Sequence, residues 1–402
     1  MNLALLRRAA LAPSALLVLL AAAGCASPVA PAATADPDAH GIDSGGAAEV
    51  AAPALALAVA DERGALTLLD LDTEERVVLT DAGAGRAAVS GDGRLVFLAR
   101  TDGDDATVDV VDTGRWTVPH GDHTHSFQGE PRQLGSLDGH GEVRVSGAGQ
   151  STAIGFGGAE VVVLPHDDLA GGLGTARLDL AHAGPVLPFA DRLLVPTASG
   201  TIRIVDGEGA PAAAAEMPCG AVSDADLTRV GAVFACAEGA VLFTRQVGGE
   251  IVGEAIPYPA GAPAATRLDG RADRADLAGV AGDDGAWLLD VRQRTWTLLP
   301  SDVPLIRAVA IGDDAGRTVA VDAEGRLRVL APDGSVLART EPLLAATIAD
   351  PALRDRVELR VSARRVYVAD PAAGTVYEID HGDARITRTF SDLEAVFLQL
   401  VG

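Results

Sequence analysis

The chain has 402 residues, 48% of them apolar and only 3% aromatic, which is enough for a sizeable core in one large repeat domain or two ordinary domains. Its formal net charge is −24, all 32 basic residues are Arg, and the 56 acidic residues are scattered rather than run together. Nucleic acid is excluded as a partner, because a phosphate backbone needs a basic patch, and a soluble acidic surface is expected.

The chain opens with Arg7 and Arg8, followed by an apolar stretch from Ala9 to Ala23 whose core runs from Ala15 to Leu20. That length suits a signal-peptide core and is short for a membrane span. Ala22, Ala23 and Gly24 then precede Cys25. Small residues before a Cys match the lipoprotein cleavage pattern, so residues 1–24 are read as the signal peptide. Cys25 is then the lipid-bearing first residue, tethered at the outer face of the cytoplasmic membrane. Two acyl chains anchor more firmly than one. Ala22 stands where Leu is usual, which leaves an ordinary signal peptide with an incidental Cys as the alternative. Residues 25–50 are rich in Ala, Pro, Asp and Gly without apolar periodicity and read as a flexible tether.

From Ala51 one pattern recurs to the end of the chain. Val59 to Asp70, Ala320 to Leu330 and Val368 to Asp380 are each a short β run, an Asp/Gly turn and a second alternating run. A third run follows each of them, and a fourth often precedes. Four antiparallel strands per unit of about 40 residues is the signature of β-propeller blades. Units start near Ala51, Arg86, Gly141, Gly184, Gly220, Ala265, Leu305 and Val357. The expected fold of residues 51–402 is therefore all-β, a single propeller of eight blades. The first unit lacks an inner strand and the chain ends on a spare one, Ala395 to Val401, which is expected to close the ring.

Cys219 and Cys236 form an even pair in an exported chain and suggest a disulfide, two buried thiols being the alternative. Trp116, Trp287 and Trp296 lie in β-like runs and are expected to pack between blades. Motifs for nucleophilic, nucleotide or metalloprotease chemistry are absent, and no ring of acids and histidines suited to a hydrolase can be assembled, so no enzyme activity is expected. Paired acids such as Asp313 and Asp314 read as solvated turns.

One segment concentrates chemistry. His120, His123 and His125 are three of only eight histidines and fall within six residues, with Asp122 among them and Glu130 and His140 shortly after. Neutral imidazoles are common ligands of zinc and related ions. In an extended chain His123 and His125 point to one side, and Gly121 lets the backbone fold His120 back toward them. A carboxylate from Asp122 or Glu130, or His140, completes the shell; a polar loop of exposed histidines is the alternative. His140 and His182 each precede the first strand of a unit and can converge at one mouth of the propeller channel. His166 and His381 lie in apparent turns and look incidental.

The run from Asp112 through Trp116, His120, Asp122, His123 and His125 to Glu130 resembles the exported zinc metallochaperones of the AztD type. The blade order, the positions of His140 and His182, and the Cys219/Cys236 pair are similar too. The resemblance implies a tethered β-propeller that binds zinc and hands it to the solute-binding protein of a zinc ABC importer, without covalent catalysis. This chain departs from that pattern where His182 is followed by Ala183 rather than a second His, and where no His follows Cys219. A metal-independent scaffold for protein interaction is the competing expectation.

Overall fold

The recurring turn explains the strands. Asp61, Asp206 and Asp322 each end a strand, and in each the Oδ1 accepts the backbone N–H groups two and four residues on. The residue three positions on is Gly64, Gly209 or Gly325, each at a φ of about +80°. A side chain there is strained, so the Asp-x-x-Gly spacing reverses the chain in two different sheets and again in a third. Alternating apolar residues on either side then face one another as hairpins.

The computed structural model describes residues 44, 46–120, 123–167, 169–213 and 216–402. The signal peptide, Cys25, His40 and Asp122 lie outside the described residues. The last residues of the expected tether are strand rather than coil: β1 spans Ala48–Val50. Next come β2 (Ala56–Ala60), β3 (Leu66–Asp70), β4 (Arg76–Thr80), β5 (Ala88–Gly91), β6 (Leu95–Asp102) and β7 (Asp105–Asp112). They are followed by β8 (Arg115–His120), β9 (His123–Gln128) and β10 (Arg132–His140).

The fold is all-β, built mostly of four-stranded antiparallel sheets. The first sheet joins the C-terminal strand Phe397–Val401 to β2, β3 and β4. Val59 lies opposite Leu398 in a five-residue ladder between chain ends. The second sheet runs β5, β6, β7, β10. The third, fourth and fifth begin at Val143, Leu187 and Val222, and the seventh and eighth at Leu305 and Leu359, each in simple sequential order. The sixth has three strands, starting at Asp276; single bridges from Asp269 to Ala278 and Gly270 to Ala310 stand where its first strand belongs.

Apolar clusters lie between sheets that are neighbours in sequence. Leu95, Phe97, Val108 and Leu137 of the second sheet meet Ile154, Phe156 and Val162 of the third. Another cluster joins the eighth sheet to the first through Tyr367, Val376, Phe390, Leu57, Leu69 and Leu398. Each fully buried Leu or Phe in such a seam contributes roughly 1.5–3 kcal/mol. Trp287 is buried in the seam of the fifth and sixth sheets and stacks with Tyr258, with Trp296 against both. Cys219 and Cys236 form a disulfide spanning 17 residues.

His166 and His381, expected to be incidental, are both buried. His166 Nδ1 lies 3.0 Å from Gly149 O, and its Nε2 lies 3.0 Å from Thr152 Oγ1 and 3.2 Å from Asp92 Oδ2. Thr152 Oγ1 donates to the same carboxylate. This trio has the residue types of a nucleophilic triad, but Thr152 is wholly buried and its proton is committed to Asp92, so it ties the second sheet to the third instead.

Candidate metal centre

The histidine segment is a hairpin inserted between β7 and β10. Its base is fixed by glycines: Gly129 N donates to Gly114 O at 2.7 Å. A Cβ on Gly114, whose φ is +71°, would lie 2.5 Å from Gly129 O, so no other residue fits. Above the base, Trp116 and Phe127 are opposite in register and stack at 5.2 Å. Arg94 lies flat against Trp116, 3.5 Å from the ring centre, while its Nε and Nη2 reach Asp112 at 3.1 and 2.7 Å. Arg115 bonds Asp70 at 2.7 Å and the carbonyl of Ala54 at 3.0 Å. Burial opposes ionisation of Asp70, but hydrogen bonds from Thr73, Arg115 and Asp72 outweigh it and hold the carboxyl at about 2. The hairpin is thus clamped at its base to both neighbouring sheets.

The histidines sit toward the tip. The Cα atoms of His120 and His123 are register partners in the pairing of β8 with β9. His123 and His125 share one face, as period-two alternation requires. Their Nε2 atoms are 3.0 Å apart and their rings meet edge to face at 4.8 Å. His123 is exposed and His125 is buried.

A residue that sequence reasoning missed completes this arrangement. Strand β1 adds to the free edge of β9, with Glu49 opposite Phe127. That register puts Glu49 diagonal to His125 on the same face, and Glu49 Oε1 lies 2.7 Å from His125 Nδ1. The only advance signal was a lone carboxylate in the alternating triplet Ala48, Glu49, Val50.

The other expected ligands are elsewhere. Glu130 is exposed at the base of the hairpin, two residues past the end of β9. The carboxylate set against His125 is that of Glu49, on the ring's Nδ1 side. His140 ends β10, is exposed, and pairs with Asp105 at 3.1 Å. It lines a cleft of about 600 Å³ together with His182, Asp104, Glu142, Arg144 and Glu160. The 42 positions between His140 and His182 are therefore bridged by the fold, but into this cleft rather than onto the hairpin. His182 is buried; its Nδ1 donates to Gly184 O at 2.9 Å, and its Nε2 has no hydrogen-bond partner among the described residues. Gly155 lies against the ring, and a Cβ there would come within 2.5 Å of His182 Cε1.

Chemically, two imidazole nitrogens 3.0 Å apart can share a proton or clasp one borderline cation. Among the described residues, no group of three or more His, Cys, Asp or Glu is arranged to hold a metal ion.

Solved structures share this fold. AztD from Citrobacter koseri superposes with a TM-score of 0.69 at 18% identity, covering 87% of this chain and 98% of that one. Apo AztD from the same organism gives 0.70 at 18% identity with the same coverage. BamB from Moraxella catarrhalis aligns more loosely, at 0.45 and 14% identity, over 77% of this chain and 92% of that one. No protein-family model matches the chain, and no curated relative does.

Proposed function

We propose that this chain is a zinc-binding protein of the cell envelope, a metallochaperone or metal buffer without enzymatic activity. In this reading residues 51–402 form an eight-bladed propeller closed by the C-terminal strand, and Cys25 carries the lipid that holds it at the membrane. Zinc is the cargo, and the recipient is the solute-binding protein of a zinc ABC importer. The observation that carries the reading is the His123–His125 pair with Nε2 atoms 3.0 Å apart. Zinc–imidazole distances of about 2.0–2.1 Å in a tetrahedral site set ligand nitrogens roughly 3.3 Å apart, so zinc binding opens the pair by a few tenths of an ångström and displaces the proton held between the two nitrogens. His120 and Asp122 are the nearest candidates in sequence for the remaining positions. The shared fold with AztD and the histidine segment's resemblance to that family support the assignment.

The cleft of His140 and His182 fits a second, weaker station. His182 offers an Nε2 lone pair on a ring held by Gly184 and set against Gly155, while His140 pairs with Asp105.

The test is metal stoichiometry and chelator-competition affinity of the mature chain. One tightly held zinc is expected, lost when His120, His123 and His125 are all replaced by Ala. Unchanged affinity in that triple variant refutes the assignment. The second reading is a metal-independent scaffold presenting loops to a protein partner. It is favoured by the want of a three-ligand group among the described residues. Absence of zinc from the intact chain would select it.

A further inference from the structure

Strand β1 belongs to the segment ahead of the repeat, yet it is the third strand of the histidine sheet. Its three residues pair with β9 and add no buried apolar side chain. Their distinctive contact is polar: Glu49 Oε1 to His125 Nδ1 at 2.7 Å. A carboxylate accepts only, so His125 must carry its proton on Nδ1, and a neutral His125 then presents a lone pair on Nε2. That Nε2 faces His123 Nε2 at 3.0 Å, and two nitrogens at this distance need one proton between them. The proton is therefore on His123 Nε2. Glu49 thus orients His125 directly, and the contact between the two rings carries that order on to His123.

We propose that Glu49 is the positioning residue of the hairpin site: it fixes the His125 tautomer so that Nε2 is available to a divalent cation, and so couples docking of the N-terminal segment to metal affinity. This rests on the metal reading of the hairpin given above. The chemistry is that of a carboxylate behind a metal-ligating imidazole, which orients the ring and raises its basicity. The coupling is specific to this chain's layout, because the carboxylate comes from the connection to the proposed anchor and not from the repeat. Whatever lifts β1 from β9 removes the orienting group without touching a histidine, which makes strand docking a means of release.

The experiment uses the full mature chain in three forms: wild type, Glu49→Ala and Glu49→Gln. The first readout needs no metal. Nitrogen-15 spectra taken at mildly alkaline pH, with the rings neutral, report which nitrogen of each histidine is protonated. Wild type is expected to show His125 protonated on Nδ1 and His123 on Nε2. Glu49→Ala is expected to lose this pattern, whereas Glu49→Gln, whose amide oxygen still accepts, is expected to keep it. The second readout is zinc affinity by chelator competition. Glu49→Ala is expected to lose about 10–100-fold, with Glu49→Gln between it and wild type. Unchanged tautomers in Glu49→Ala overturn the proposal, as does unchanged affinity in a wild type that binds zinc. Changed tautomers in a chain that binds no zinc in any form uphold the positioning role and overturn the metal reading instead. Should Glu49→Ala fail to fold, the Glu49→Gln affinity decides: a value equal to wild type overturns the basicity argument.

Discussion

The ladder between Val59 and Leu398 joins residues from opposite ends of the chain, so replacing Leu398 by Ala tests whether the C-terminal strand holds the domain together. Leu398 is fully buried in the seam between the eighth and first sheets. Truncating a buried Leu to Ala costs about 2–5 kcal/mol, the transfer term plus the cavity left behind. For a domain of roughly 350 residues the entropy of unfolding is about 0.7 kcal/mol per degree, so the expected fall in Tm is about 3–7 °C. Leu337, on the outermost strand of the seventh sheet and 54% exposed, is the control. Its replacement by Ala is expected to change stability by no more than about 0.5 kcal/mol. Calorimetric melts of both variants against wild type decide the matter. Equal shifts for Leu398→Ala and Leu337→Ala would refute the argument, because a dispensable strand end leaves no cavity that matters. Removing the whole strand goes further. Phe397, Leu398 and Val401 are all buried, and together they contribute on the order of 5–8 kcal/mol, comparable with the entire net stability of a domain.

Replacing Cys219 and Cys236 together by Ser releases a 17-residue loop and is expected to lower the free energy of unfolding by about 3 kcal/mol in urea titrations, with zinc affinity unaltered. Asp224 keeps a little exposed surface but is enclosed by protein; that enclosure, with repulsion from Asp269, raises its pKa to about 6 from 3.8. The folded chain therefore keeps a proton that the unfolded chain releases, so this contribution is fully present below pH 3.8 and is lost as pH rises through 6, by up to about 3 kcal/mol. Asp224→Asn is expected to flatten the fall in stability between pH 4 and pH 7; a slope identical to wild type would discard this reading. Arg94→Ala breaks a buried bidentate pair with Asp112 and uncovers Trp116, at a cost of about 3–5 kcal/mol. Faster amide exchange in β8 and β9 is the expected sign, and unchanged protection there would show that the clamp does not hold the hairpin.

The repeat was legible because one local device serves many turns. An Asp that ends a strand and a Gly three residues on can be read without knowing any long-range contact, and they mark Asp61, Asp206 and Asp322 alike. The shared face of His123 and His125 was legible for the same reason, since alternation is a local property. What failed was long-range. Ala48 to Val50 is too short to show a period, so neither β1 nor Glu49 could be picked out before the edge of β9 was there to receive them. Glu130, weighed for the shell with Asp122 and His140, lies exposed past the end of β9. The first strand of the sixth unit, expected near Ala265, is reduced to bridges at Asp269 and Gly270. His166 and His381 sit in turns by sequence, but the turns of one sheet are packed beneath its neighbours, and His166 finds Asp92 across that boundary.

The hairpin's placement separates two demands that conflict in a single core. The seams between sheets are close-packed, and a ring that must shift to admit a cation would strain them. The hairpin avoids this by anchoring only its base: Gly114 against Gly129, Arg94 across Trp116 and Asp112, and Arg115 on Asp70. Its tip carries His123 exposed and His125 held by a single strand that arrives from outside the repeat. The cleft histidine is built in the opposite way. His182 is held by Gly184 O on its Nδ1 side, and its ring lies against Gly155, which has no side chain to crowd it. An adjustable pair on a tip and a fixed ring in a cleft differ in how much reorganisation a bound cation demands. On the metal reading proposed above, β1 rather than the sheets is the element that sets the tip's hold on a cation.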